Sequence, residues 1–288
     1  MPSLRIIRRR IRSVKSISQV TKAMEMVSAS KMRRAQQRVL ASRPYSERLQ
    51  KMIADLAVRP GLEWESHPLL QQRETRSRVG LIVMTSDRGL CGSLNGNVIR
   101  RATSDMLEMG GPSAVDLITV GRRGQDFMVR RGVKLQATFT YMGDQPGIAA
   151  IHPVARLVMD SFSGGLVDAV FVVYPKFVNT LTQRVTVDQI LPVVPAKAVG
   201  AQLEYIFEPS APEILSDLLP RHVEVQIYQA LLETIASEHS ARMIAMRNAT
   251  DNAKELISTL TLVYNKARQA AITREIAEIS AGAGALSG

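Results

Sequence analysis

The sequence predicts a central α/β domain with a mostly parallel sheet, joined to a long antiparallel coiled coil built by the N- and C-terminal helices. Three observations carry that class. Residues 222–281 run for sixty positions with neither glycine nor proline, enough for a helix of about 90 Å. Residues 3–58 contain no glycine and one proline, Pro44, and support a second helix of about 80 Å. Between them short apolar runs alternate with helical patterns and Gly-rich turns, the order of a Rossmann-like domain.

The C-terminal helix carries a seam. In alternating steps of three and four it reads Val225, Tyr228, Leu232, Ile235, His239, Arg242, Met246, Ala249, Ala253, Leu256, Leu260, Val263, Ala267 and Ala270, and twelve of these fourteen are apolar. That spacing is a coiled-coil stripe, which needs a partner helix. His239 and Arg242 interrupt it at adjacent positions. They read as a snorkelling or locally paired polar layer, with a contact layer against another subunit as the sharper alternative.

The N-terminal helix supplies the partner. Leu4, Ile7, Ile11, Val14, Ile17, Val20, Met24 and Val27 follow one helical face, and Ala35, Val39, Leu49, Ile53 and Leu56 continue an apolar pattern. Pro44 should bend this helix or weaken it locally. With roughly 54 residues, the first helix can cover the second only to about Tyr264. The tail from Asn265 would then project alone by up to about 36 Å. Its Ala270, Ala271, Ile272, Ile276 and Ile279 would face water unless another protein sheathes them. The expected organisation is therefore residues 1–58 as the N-terminal coiled-coil helix, 59–210 as the α/β domain and 211–288 as the C-terminal helix, with a single-helix tip from about 265.

In the middle, Trp64, His67 and Pro68 read as loop. Residues 79–85 (VGLIVMT) form a near-continuous apolar run, the mark of a buried parallel strand. The turn SDRGLCGSLNGN follows, then a helix over 98–109, a strand at 116–120 (DLITV) and a basic helix over 122–131. A helix at 153–162 precedes a strand at 167–174 (VDAVFVVY), which pairs as a hairpin with an alternating strand at 182–191. Residues 192–212 read as the linker into the long helix.

Charge is concentrated. The formal net charge is +11, and residues 1–59, with fifteen Lys or Arg against three Asp or Glu, carry a net of +12. A run so one-sided is aimed at an acidic partner. Nucleic acid is the second choice, weakened because Tyr45 is the only aromatic on that helix and stacking platforms are lacking. The basic start has no apolar signal region, and the helical pattern runs straight through it, so it reads as mature sequence. No run of eighteen uncharged apolar residues is present, so no membrane span is expected. A single cysteine, Cys91, excludes an internal disulfide.

Few residues stand in patterns that carry chemistry. The turn after the first strand lacks G-x-x-x-x-G-K-[ST], and Gly89, Gly92 and Gly96 do not give G-x-G-x-x-G. Its glycines read as the means of a tight turn, and Asp87 with Arg88 as a local ion pair of small worth. The four histidines are scattered, with no i, i+4 pair and no cysteine companion, so no metal site is expected. No cofactor and no catalytic residue are assigned.

Three stretches resemble the gamma subunit of F-type ATP synthase, the rotor of its central stalk: IRRRIRSVKSISQVTKAMEMVSASKMRRAQ (residues 7–36), TSDRGLCGSLN (85–95) and SEHSARMIAMRNATDNAKELISTLTLVYNKARQAAITREIAEI (237–279). The resemblance implies a non-catalytic subunit. It would couple ion flow through a membrane ring to ATP synthesis or hydrolysis in an alpha–beta hexamer. Implied partners are the alpha and beta subunits, the epsilon subunit and the c-ring, with delta, a and b in the same complex and no nucleic acid. Carried over residue by residue, Arg268 and Gln269 match an element that meets a catch loop of a beta subunit, and Thr273 and Glu275 match the following ITxE element. Met24 and Arg242 match positions facing each other and the hexamer near a lower bearing. Lys31, on the basic helix, falls in the same contact set. The cysteine-bearing insertion of chloroplast relatives is missing, so thiol switching is not expected. The implied location is the cytoplasmic face of a bacterial plasma membrane, as a peripheral protein.

Overall fold

A computed structural model describes residues 3–57, 67–73, 77–195 and 210–286, with side chains to residue 281; the expected loop position of Trp64 and most of the expected linker lie outside them. The chain divides into two compact units: Ser28–Arg242, and Met1–Val27 with Met243–Gly288. Helices α1 (Leu4–Ala57) and α5 (Ala211–Leu286) contribute one segment to each.

The larger unit is built on five strands: β1 (Val79–Met84), β2 (Val115–Val120), β3 (Leu135–Phe139), β4 (Ala169–Phe177) and β5 (Gln183–Leu191). Their order is β3-β2-β1-β4-β5. The first four are parallel and β5 runs antiparallel to β4, the mixed sheet that the sequence predicts. Strand β3 is an addition. Its burial alternates between half-exposed and exposed along LQATF, because it lies at an edge, so it lacks the apolar run that marks β1 and β4. The helices between strands are α2 (Leu94–Glu108), α3 (Arg122–Arg130) and α4 (His152–Ser163). The first of these begins four residues earlier than its apolar pattern suggested, within the Gly-rich turn.

Side chains alternate across the central strand. Leu81 and Val83 join Val98, Ile99, Ala102 and Met106 of α2 and Met128 of α3 in one core. Ile82 and Met84, both fully buried, point the other way, where Thr234 of α5 donates to the Met84 sulfur at 4.0 Å. The α5 segment in this unit is thus embedded: Leu219, Val223, Ile227, Ala230, Leu231 and Ala236 are all buried. Burial all round explains why this stretch outruns a narrow seam. Hydroxyls finish the packing, with Ser237 donating to Pro175 O at 2.8 Å and Ser240 to Thr180 O at 2.7 Å. On the opposite side α1 meets it, where Ser42 donates to Gln229 Oε1 at 2.6 Å.

The start of α5 has its own device. Ser210 Oγ accepts from Glu213 N at 3.4 Å and donates to the Glu213 carboxylate at 2.9 Å, so the same Ser–Glu pair links the side chains and backbone of the first turn. Pro212 falls in that turn, where a missing N–H costs nothing. Pro220 lies inside the helix.

In the smaller unit α1 and α5 run antiparallel. Arg8 donates to the Tyr264 hydroxyl and lies 5.5 Å from the centre of its ring, and Thr21 and Thr250 share a hydrogen bond of 2.7 Å. The seam there keeps the expected Met246, Ala253, Leu260 and Ala267 but is displaced by one residue at the positions between them. Thr250, Ile257 and Tyr264 turn inward, whereas Leu256 and Val263 are each 46% exposed. On α1, Ile17, Val20 and Val27 are over half exposed, and the seam passes instead through Ser18, Thr21 and Glu25. Arg247 donates to Glu25 at 3.1 Å and Lys22 at 3.0 Å; with Lys22 first, these cations hold the Glu25 carboxyl below its ordinary range. Polar side chains that pair across the helices keep the register where apolar ones are lacking.

Candidate functional site

In open α/β sheets ligands bind outside the carboxyl ends of the strands, at the point where strand order reverses. Here that point lies beside β1, and the chain fills it with its own groups. Thr85 Oγ1 accepts from Gly124 N at 2.8 Å. Gly121 approaches so closely that a Cβ there would come within 2.0 Å of Thr85 O, and its φ of +97° suits glycine alone. Asp87 is the anion at the start of α3: its carboxylate accepts from Arg122 N at 3.0 Å and Tyr141 N at 2.9 Å. No Asp87–Arg88 ion pair forms among the described residues. The carboxylate serves the helix N-terminus instead, where charge and unpaired N–H groups both favour it. An open recess lined by Arg78, Asp116, Lys134 and Gln136 lies at the amino ends of β1–β3, the wrong end for such a ligand.

Arg242 closes the crevice. It is 7% exposed; its Nε and Nη2 donate to Gly89 O at 3.2 and 3.1 Å, and Nη2 donates to Glu238 at 2.6 Å. Burial pushes the Glu238 carboxyl up, with Arg242 opposing. Its Nη1 lies 3.4 Å from His239 Nδ1. His239 is buried, which pulls its pKa down to about 4, so the ring is neutral and its Nδ1 is free to accept. The polar interruption of the seam is therefore a locally paired layer.

The other sequence-predicted residues fall in different settings. Lys31 is half-buried, and its Nζ donates to Asp144 at 2.5 Å. It and Arg242 converge on the Asp144–His239 region of the larger unit, where His239 Nε2 lies 3.2 Å from Asp144 Oδ1. Met24 is half-buried in the smaller unit. Arg268, Gln269, Thr273 and Glu275 are all exposed on α5. Between residues 265 and 281 only Ala267 is partly covered, and Ile272, Ile276 and Ile279 are 47%, 59% and 66% exposed. Sequence reasoning missed Asp144 and Glu238; their partners come from segments far apart in the chain, so no local spacing announces them.

Among the described residues no helix is long and apolar enough to cross a membrane, and no cluster of His, Cys, Asp or Glu could hold a metal. One of the two long helices ends in a stretch whose three isoleucines are uncovered, a surface of the kind that another molecule covers. The family model described as ATP synthase matches residues 3–286. Proteins named ATP synthase gamma chain from Chloroflexus aurantiacus, Roseiflexus and Dehalococcoides mccartyi are similar at 52%, 53% and 50% identity. The alignments span 99% of this chain and 99–100% of theirs. Among solved structures, a chain of the Tetrahymena thermophila mitochondrial ATP synthase central stalk and c-ring is 27% identical, with a TM-score of 0.62, covering 80% of this chain and 99% of that one. A chain from the Euglena gracilis mitochondrial ATP synthase shares the fold at 20% identity, with a TM-score of 0.68 over 98% of this chain and 94% of that one. The chain belongs to the ATP synthase gamma-chain family, the non-catalytic rotor of the central stalk. A nucleic-acid-binding arm finds no support in these likenesses.

Proposed function

We propose that this chain is the shaft that couples ion flow through a membrane ring to ATP synthesis or hydrolysis in an alpha–beta hexamer. The single observation that carries the reading is the unsheathed tip of α5, exposed from residue 268 to 281 with three isoleucines facing out. A surface of that kind is tolerated when another protein covers it. Arg268, Gln269, Thr273 and Glu275 are the contacts we assign to the hexamer, the first two to a catch loop of a beta subunit. Met24 and Lys31 join them through the basic face of α1, which suits acidic loops of the beta subunits. Arg242 stays in the set through its position, with its guanidinium engaged by Gly89 and Glu238.

The work is done by differential contact. A rotor orientation that fits one beta conformation better than another shifts that site's equilibrium by the difference in contact free energy. Epsilon and the c-ring are the partners we assign to the α/β domain, with delta, a and b in the same assembly. The complex is peripheral to the cytoplasmic face of a bacterial plasma membrane. Reconstitution with alpha and beta subunits tests the assignment: a stable complex should form, and ATP hydrolysis should rotate a probe fixed to the α/β domain. A chain that does not co-purify with the hexamer overturns it.

A further inference from the structure

A short loop after β3 touches both long helices at three consecutive residues. Asp144 accepts from Lys31 of α1 and lies beside His239 of α5. Gln145 Oε1 accepts from Arg38 Nη2 of α1 at 2.8 Å. Pro146 O accepts from Arg38 Nη1 at 3.5 Å and from the Tyr228 hydroxyl of α5 at 3.1 Å. Each residue of the loop is thus held by at least one helix, Pro146 by both, and Asp144 lies against His239 of the second.

We infer that residues 144–146 form a clip that fixes α1 and α5 to each other and to the sheet, so that a twist applied to the sheet is passed to the helices without slip. The inference rests on the rotor reading above and names the positioning residues of its coupling path: Lys31, Arg38, Tyr228, His239 and Asp144. The charges are arranged for this. Burial alone would raise the Asp144 carboxyl, and the Lys31 ammonium holds it below its ordinary value. An isolated exposed ion pair would contribute little. This one is backed by a buried histidine and a carbonyl shared by two helices, and groups that act together are worth more than their separate parts. The clip is also placed well for leverage. It meets α1 at 31–38 and α5 at 228–239, so each helix is gripped at two points along its axis and resists rotation about a single contact.

The test uses the assembled complex, with a bead fixed to the α/β domain and its angular fluctuation recorded while the motor waits for ATP. If the clip and the sheet packing act as parallel springs of similar stiffness, Asp144→Ala with Arg38→Ala should widen the angular variance about twofold, with hydrolysis retained. The single change Arg38→Glu should widen it as well, and adding Gln145→Arg should bring it back by reversing the polarity of that contact. In the isolated chain the double alanine variant should speed hydrogen exchange of the amides at 144–151 about tenfold while those of β1 keep their rate. A merely structural role would lower the melting temperature and leave the variance and the swap rescue unmoved. Unchanged variance, or exchange that does not quicken, overturns the clip. Failure of the unmodified chain to rotate in the hexamer counts against the preceding reading, and the exchange experiment still decides the clip.

Discussion

One helix, α5, meets two opposite environments. Between Leu219 and Arg242 it is buried on nearly every side, and even its serines and threonines are spent on carbonyls of β4, of the β4–β5 turn and of its own helix. From residue 268 to 281 every side chain is exposed. The local sequences are not so different in apolar content; what differs is who supplies the other surface. A helix that is apolar all round marks burial within its own domain, while a stripe with no facing partner marks a surface kept for another molecule. The comparison shows why the two stretches should respond differently to the same change.

The largest difference should come from truncating isoleucines. Ile227→Ala opens a cavity in a fully buried site and should cost about 2–5 kcal/mol. Ile276, 59% exposed, should tolerate the same change within about 0.5 kcal/mol. Chemical denaturation of the isolated chain measures both, and equal losses would erase the contrast.

Acid should act on the embedded stretch first, before paired carboxylates such as Glu25 take up their protons. His222 and His239 are buried there, and burial lowers both to about 4, below the ordinary 6.5. For a lowered histidine the unfolded chain takes the proton first, so the stability is present above pH 6.5. It falls as pH drops from there towards 4 and levels off below. Each site contributes on the order of 3 kcal/mol to that loss. His222→Gln with His239→Gln should flatten the profile between pH 6.5 and 4; a slope that persists would place the titration elsewhere.

A smaller effect belongs to the coil of the other unit. Thr21→Val alone removes one partner of a buried hydroxyl pair and should cost about 1 kcal/mol. Thr21→Val with Thr250→Val should cost less than the two single changes together, since the pair is lost as a unit. Thermal melts of the four chains give the coupling, and strict additivity would remove the role we give to this pair. Smallest in stability and largest in function is Arg268→Ala with Gln269→Ala. Both residues are exposed, so the fold and helix content should be unchanged by circular dichroism, while coupling or torque in the assembled complex falls. Loss of helix content would contradict their placement on an uncovered tip.

Much of this was legible from sequence, for identifiable reasons. Long stretches with little glycine or proline mark the two long helices, and continuous apolar runs mark β1 and β4, because both signals are local. Counting residues along two antiparallel helices brings the start of α1 to about Tyr264, and Arg8 does meet that side chain. The phase of the seam was harder. Ile17, Val20 and Leu256 are apolar yet face outward, and Thr21, Glu25 and Thr250 face inward, because cross-helix hydrogen bonds outweigh hydropathy there. Strand β3 was missed since an edge strand of alternating exposure has no apolar run. The partners of Arg242, Gly89 and Glu238, and those of Asp144, follow from tertiary placement, which no spacing in the chain encodes.

Hydrogen exchange of α5, in the isolated chain and in the complex with alpha and beta subunits, tests the division most directly. Amides at 219–242 should exchange slowly in both. Those at 268–281 should exchange fast in the isolated chain and become protected in the complex. A tip already protected alone, or still unprotected in the complex, would contradict the claim that this helix serves its own domain at one end and a partner's socket at the other.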